Sequence, residues 1–390
     1  MSDTQESQKK IAIVMLACRD YKATELALAS HMAYRSQGIP FYILQNCRGC
    51  YDAERTYDVA SRYAKLFPNV IKVIDWIPPG MPYHSITELL KTPEFSEFDL
   101  ILKVDDDAFP ITPNWLDRML EVWNIADSES PGTLAYVSPL INNNCWGFLE
   151  TLNRMGLKDS YFSEQAHPHY VGSIFSDDNP KRVVSADQIV TAGSGTIWGY
   201  PHIARWLHQR TTLKPDDFIA ATRGLSPVEI PSNDRYSIGC ILFRPSLWME
   251  IDNSGIGSDD EGMMHNYCKK NGLRIVCARD VPFIHLAYFT QREENRDIVD
   301  TAINFYESRL NHPFPISLYA NQTLEVENRL RFLENKLFPK EEGVNSSFSW
   351  QNLKKLLNLF MKNPKKFIGF IASNKKKAAK LVLSNIKNSK

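Results

Sequence analysis

The chain has 390 residues, 43% hydrophobic and 23% charged, proportions that suit a globular protein with a sizeable core and exclude a disordered or fibrous one. Its 45 basic and 45 acidic side chains cancel, but unevenly: positions 344–390 carry eleven lysines and no acid. The first 343 residues therefore hold 34 basic against 45 acidic groups, a net of −11, which argues against nucleic acid as a partner of the body.

Met1 to Lys10 is polar, and the apolar run Ile11 to Cys18 is too short for an export signal. No stretch is long and apolar enough to span a bilayer. Seven scattered cysteines suit a reducing cytoplasm better than a disulfide framework. Cys47 and Cys50 are a close pair, but no second pair completes a zinc site, so they read as two unligated thiols on a loop. The location expected from these features is cytoplasmic.

In chain order, Ile11 to Leu16 predicts a strand and Lys22 to Ser36 a helix with Leu26, Ala29 and Ala33 on one face. Phe41 to Leu44, Val70 to Ile74 and Leu100 to Val104 are further strands, separated by helical segments at Ala53 to Leu66 and His84 to Lys91. Strands alternating with helices of this length predict an α/β fold with a doubly wound, mostly parallel sheet. Ligands gather at the carboxyl ends of such strands, where Asn46 and Asp105 to Asp107 fall. Beyond Trp115 the rhythm loosens. Leu134 to Ile141 reads as a strand, and positions 142–237 as an irregular insertion rich in aromatics. Strand character returns at Ile238 to Phe243, a loop leads into a helix over Gly257 to Asn271, and Arg274 to Cys277 and Phe283 to Leu286 are two short strands. Thr323 to Leu337 reads as a charged helix that packs on the domain.

Three carboxylates at the end of an apolar strand repel one another unless a cation offsets them. In extended chain Asp105 and Asp107 point the same way, so their oxygens can converge on one ion. A hard divalent ion, Mn²⁺ or Mg²⁺, suits oxygen ligands shared with a diphosphate. The plain alternative is a solvated acidic turn. A second carboxylate group follows in Gly-Ser-Asp-Asp-Glu-Gly at 257–262, then Gly272, and His285 thirteen positions after that glycine.

Lys-Val-Asp-Asp-Asp-Ala-Phe resembles the Asp-x-Asp motif of GT-A-fold glycosyltransferases. The ordered set of triplet, acidic helix start, glycine-led strand and late histidine is similar to glycosyltransferase family 2, over roughly residues 10–290. The resemblance implies a nucleotide-sugar donor, UDP- or GDP-linked, with Ala17, Cys18, Arg19 and Asn46 framing the base. Asp105 and Asp106 would then contact the donor, and Asp105, Asp107 and His285 would hold the metal. It also implies that Asp260 or Glu261 acts as the base in an inverting transfer to a saccharide or lipid-linked acceptor. The family's usual Glu-Asp pair is here Asp259-Asp260-Glu261, so the base stays open between Asp260 and Glu261, with Asp260 preferred for its shorter arm. Helix-end stabilisation is the plain alternative for that cluster.

On this reading residues 1–322 form the transferase domain, with 10–142 the nucleotide-sugar half and 143–300 the acceptor-binding and catalytic half. Residues 323–343 form a helical linker and 344–390 a basic amphipathic tail. Trp146, Phe148, Tyr161, Tyr170, Trp198 and Trp206 mark either an acceptor pocket or the core of the insertion. Gly193 and Gly195 could let backbone approach a ligand or merely turn the chain. His265 is expected on a helix surface, and His167 and His169 in a loop. In the tail, Leu353, Leu356, Leu357, Phe360 and Met361 follow helical spacing among lysines, the pattern of an anionic-membrane surface element. A nucleotidyltransferase that makes sugar nucleotides is the nearest enzymatic rival, but Leu-Ala-Cys-Arg-Asp-Tyr after the first strand is not a glycine-rich phosphate loop. A non-catalytic carbohydrate-binding scaffold is the third reading.

Overall fold

The computed structural model describes residues 9–18, 20–45, 53–74, 82–143, 145–164, 201–231, 236–254, 260–286 and 294–310. The chain divides into two compact units, Met1–Arg329 and Leu330–Lys390, and all described residues belong to the first. Arg19, Asn46, Cys47, Cys50, Asp259, His167, His169, Tyr170, Gly193, Gly195, Trp198, the Thr323 to Leu337 segment and the basic tail lie outside the described residues.

The expected α/β fold is present. Strand β1 (Ile11–Ala17) is buried at all seven positions, as a central strand covered on both faces must be. It pairs in parallel with β2 (Phe41–Gln45) and with β4 (Leu100–Asp105), and β2 pairs in parallel with β3 (Ile71–Ile74). Helices α1 (Tyr21–Ala33), α2 (Ala53–Leu66) and α3 (Pro82–Leu90) lie between these strands in sequence. Asp20 starts α1 by accepting a hydrogen bond from the Ala23 amide at 3.1 Å.

The second half of the sheet is mixed. The short strand β5 (Ala108–Pro110) follows the triplet, and β6 (Leu134–Ile141), β7 (Val228–Glu229), β8 (Cys240–Phe243) and β9 (Arg274–His285) come later. The order is β3-β2-β1-β4-β8-β6-β9-β5, with β7 also on β9. β8 runs antiparallel between β4 and β6, while β6 and β9 are parallel. The two strands expected at Arg274 to Cys277 and Phe283 to Leu286 are one twelve-residue strand. Its pairing with β6 jumps from Ala278 to Pro282, so the polar residues between sit in an irregularity that leaves the strand unbroken. There Arg279 pairs with Glu150 and Asp280 with Arg118.

The loosened region holds more helix than its pattern suggests. α4 (Trp115–Glu129), α5 (Cys145–Arg154), α6 (Lys158–Glu164), α7 (Pro201–Arg210) and α8 (Pro215–Thr222) precede β8. After it come α9 (Pro245–Ser254), α10 (Asp260–Lys270) and α11 (Arg296–Leu310). Phe148, Tyr161 and Trp206 are at most 5% exposed and form a second small core with Leu152, Ile203 and Leu207. These three aromatics are core side chains rather than a sugar-stacking surface. Trp146 is half-buried and packs edge-on against Tyr236. Among the described residues, no helix is long and apolar enough to cross a membrane.

Candidate metal and donor site

The carboxyl end of β4 delivers the triplet. Asp105 closes the strand, Asp106 and Asp107 form a tight turn, and β5 leaves in a new direction. β5 is antiparallel to the end of β9, with Ala108 opposite His285, and the Leu286 amide donates to the Asp107 carbonyl at 2.9 Å. Residues 177 and 179 positions apart in sequence are thereby joined. One ligand atom each from Asp105, Asp107 and His285 lies within 4.8 Å of the others.

Two carboxylate oxygens and an imidazole nitrogen are a donor set that suits Mn²⁺, and with less preference Mg²⁺. The surroundings make a cation favourable. Asp107 and His285 are 4% and 5% exposed, and an uncompensated buried carboxylate costs several kcal/mol. Burial and the neighbouring Asp107 carboxylate push the Asp105 carboxyl above its usual range, against the pull of Lys103 and His285. Burial lowers the basicity of His285, but Asp107 beside it outweighs that and holds the imidazole above its usual value.

The triplet splits by direction. Asp106 is 5% exposed and its Oδ2 accepts from the Cys18 amide at 2.7 Å and from the Thr24 hydroxyl at 3.1 Å. It joins the end of β1 and the first turn of α1 to the β4 turn. The resemblance made Asp106 a donor contact; its Oδ2 is engaged with protein. Ala17 is fully buried in the sheet, so its side chain offers no surface to a base. Cys18 is disulfide-bonded, contrary to the expectation of reduced thiols. Cys240, Cys268 and Cys277 are free and buried.

Lys103 is a contributor the sequence reading did not single out. It is 1% exposed, and its ammonium donates to Asp105 Oδ1 at 2.6 Å and to the Ile238 carbonyl at 2.8 Å. Burial disfavours its charge, but Asp105, then Asp260 and Glu261, pull the amine above its usual value. The start of α10 therefore lies within electrostatic reach of the triplet, through one buried cation. Asp260 and Glu261 are half-buried at that helix start, and the Glu261 amide donates to Asp260 Oδ1 at 3.0 Å. They stand outside the three-residue ligand cluster. Carboxylates in a helix's first turn also meet the positive end of its dipole.

Two further elements shape this floor. Gly239 passes its carbonyl to the Asp105 amide at 2.9 Å, and a Cβ there would meet Ser237 Oγ at 3.0 Å and Asp105 Oδ2 at 3.4 Å. Glycine at 239 leaves room beside Asp105 Oδ2. His265, expected on a surface, is 3% exposed: its Nε2 lies 3.1 Å from the Tyr236 amide and 2.5 Å from the Tyr236 carbonyl. It ties α10 to the segment that leads into Gly239. Its place on a helix with polar neighbours hides that burial from periodicity.

At the end of β6, Asn142 and Asn143 are fully buried and both bond to His285. Neither was found by the sequence reading, since an Asn-Asn-Asn run signals a turn.

No protein-family profile matches the chain, and no curated protein does. Among solved structures, the chain is similar to the mannosyltransferase PcManGT from Pyrobaculum calidifontis in complex with GDP-Man and Mn²⁺. That match has 10% identity and a TM-score of 0.38, covering 96% of this chain and 87% of the other. It is similar to GalNAc-T7 with UDP, GalNAc and Mn²⁺, at 12% identity and TM-score 0.40, over 85% of this chain and 57% of that one. It is also similar to 4-diphosphocytidyl-2C-methyl-D-erythritol synthase from Anaerococcus prevotii, at 10% identity and TM-score 0.39, over 77% and 99%. These likenesses concern the fold alone.

Proposed function

We propose that this chain is a metal-dependent glycosyltransferase that moves a sugar from a nucleotide-sugar donor to a saccharide or lipid-linked acceptor. The observation that carries the reading is the convergence of Asp105, Asp107 and His285 at the carboxyl end of the sheet, where α/β proteins bind their ligands. A bound Mn²⁺ or Mg²⁺ would offset charge on the departing diphosphate. The chain's own groups supply the rest. Lys103 holds Asp105 in place from below, and Asp106 fastens the end of β1 beside the triplet.

Asp260 or Glu261 takes the proton of the acceptor hydroxyl as that oxygen attacks the anomeric carbon. Asp260 is the stronger candidate for the shorter reach, and a single base with in-line attack inverts the anomeric centre. The lysine-rich tail is proposed to rest on an anionic membrane, where each lysine contributes about 1 kcal/mol.

The test is a panel of UDP- and GDP-sugars scored for thermal stabilisation with and without Mn²⁺, followed by transfer assays on the donors that bind. Metal-dependent stabilisation by at least one nucleotide sugar is expected. Stabilisation by a nucleoside triphosphate and sugar phosphate, with pyrophosphate release, would replace this reading with a nucleotidyltransferase. For the tail, a chain ending at Gly343 should lose binding to anionic vesicles, and unchanged binding refutes that part.

A further inference from the structure

His285 is held at three points by two neighbouring side chains. Its backbone amide donates to Asn142 Oδ1 at 3.1 Å, its carbonyl accepts from Asn143 Nδ2, and its ring Nδ1 lies 3.2 Å from Asn143 Oδ1. The bond from Asn143 Nδ2 to the carbonyl fixes which way the amide faces, so Oδ1 is the atom turned to the ring. An amide oxygen only accepts, and ring Nδ1 must therefore carry the proton. The other nitrogen, Nε2, is the one directed at Asp107 Oδ1, 3.1 Å away.

Asn142 is anchored in turn. Its amide donates to the Phe283 carbonyl at 3.1 Å and its Nδ2 to the Thr211 hydroxyl at 2.9 Å, while that hydroxyl donates to Leu207 of α7. Both asparagines are 0% exposed.

We infer that Asn143, seated by Asn142, is the positioning residue that presents His285 Nε2 as a metal ligand. The inference rests on the metal reading of the Asp105-Asp107-His285 cluster and deepens it. A buried asparagine could serve only to finish strand β6, and then it would support the fold without regard to His285. The geometry distinguishes the two roles: both polar atoms of the Asn143 amide reach His285, one of them its ring.

The experiment is a double-mutant cycle on Mn²⁺ affinity, read by electron paramagnetic resonance of free Mn²⁺ in the full chain without any sugar substrate. Asn143→Leu, which keeps bulk but loses both hydrogen bonds, should bind Mn²⁺ about 10- to 100-fold more weakly, the usual effect of removing a ligand's orienting partner. Asn143→Asp retains an acceptor for the ring proton and should bind more tightly than Asn143→Leu. In a His285→Ala background, Asn143→Leu should cost little more, because the residue it acts through is gone. If Asn143→Leu fails to fold, Asn143→Asp is compared with wild type in both backgrounds, and loss of the difference between them in His285→Ala is the expected result. Wild-type affinity in Asn143→Leu, or an equal loss with and without His285, overturns the inference while leaving the metal site standing. A wild-type chain that binds no Mn²⁺ overturns both.

Discussion

His285 Nε2 stands 3.1 Å from Asp107 Oδ1, although 178 positions separate the two residues in sequence. Their meeting depends on the antiparallel pairing of β5 with the end of β9, which turns the short segment after the triplet into a bridge. Two groups held this close in buried surroundings either share a proton or share a cation. Both alternatives can be tested by substitution.

Replacing Asp107 with Ala should abolish stabilisation by Mn²⁺ and reduce transfer to background, and His285→Ala should weaken Mn²⁺ binding without loss of the fold. Thermal melts with and without Mn²⁺ are the measurement. Undiminished metal-dependent activity in Asp107→Ala would sink the scheme.

The base should reveal itself as a kcat effect. Asp260→Asn and Glu261→Gln, assayed separately, are expected to differ: the true base loses about 10²- to 10⁴-fold in turnover with donor affinity retained. The other should stay within an order of magnitude of wild type. Equal small losses in both would mean that these carboxylates only stabilise the start of α10.

Lys103 should behave as a built-in cation. Lys103→Met leaves Asp105 without its buried partner, so the metal-free protein should lose about 3 kcal/mol, the lower range for breaking a buried pair. Saturating Mn²⁺ should then stabilise the variant more than wild type, since the ion supplies the missing positive charge. Urea denaturation with and without Mn²⁺ measures this, and equal gains in both proteins would contradict it.

Stability should carry an identifiable pH signature from α1. Burial pushes the Glu25 carboxyl up to about 7 from 4.5, with Arg62 opposing and Glu307 adding to the shift. A raised carboxyl pKa stabilises the fold fully below pH 4.5, and that contribution is lost as pH rises through about 7. The difference amounts to about 3 kcal/mol at 1.36 kcal/mol per unit. His31 works in the opposite sense: burial lowers it to about 4 from 6.5, so its contribution is complete above 6.5 and lost as pH falls toward 4. Glu25→Gln should therefore be more stable than wild type at pH 8, with the gap closing by pH 4.5. A pH-independent gap would show that the Glu25 carboxyl has the same pKa folded and unfolded.

The sheet and the triplet are legible in sequence for the same reason. β1, β4 and the helix Ala53–Leu66 are local patterns, and Asp105 and Asp107 inherit their shared direction from the strand before them. His285 was reached only through its spacing from Gly272. Asn143 could not be reached that way, because its role exists only once β6 and β9 pair across 142 positions. Helix α4 is not among the elements read from the sequence: Asn114 before it makes no side-chain capping bond and sits in the left-handed region at φ 58°, so the usual entry signal is muted. Lys103 reads in sequence as a polar interruption of a strand. Its 1% exposure is hidden because the Ile238 carbonyl that accepts from its ammonium comes from 135 positions away, beside β8.

The inward turn of Asp106 changes what a scan of the triplet would report. Its oxygen closes a seam between β1, α1 and the β4 turn, so an inactive Asp106 variant would speak about folding, and its melting temperature would fall with its activity. Asp105 and Asp107 repel each other, a repulsion that a bound cation would relieve. Neutralising Asp107 should leave a protein that is dead but as sturdy as before, or sturdier, the mark of a site whose readiness to bind is maintained at the fold's expense. Three adjacent letters thus hide two different kinds of dependence, and only a melting curve set beside each rate would tell them apart.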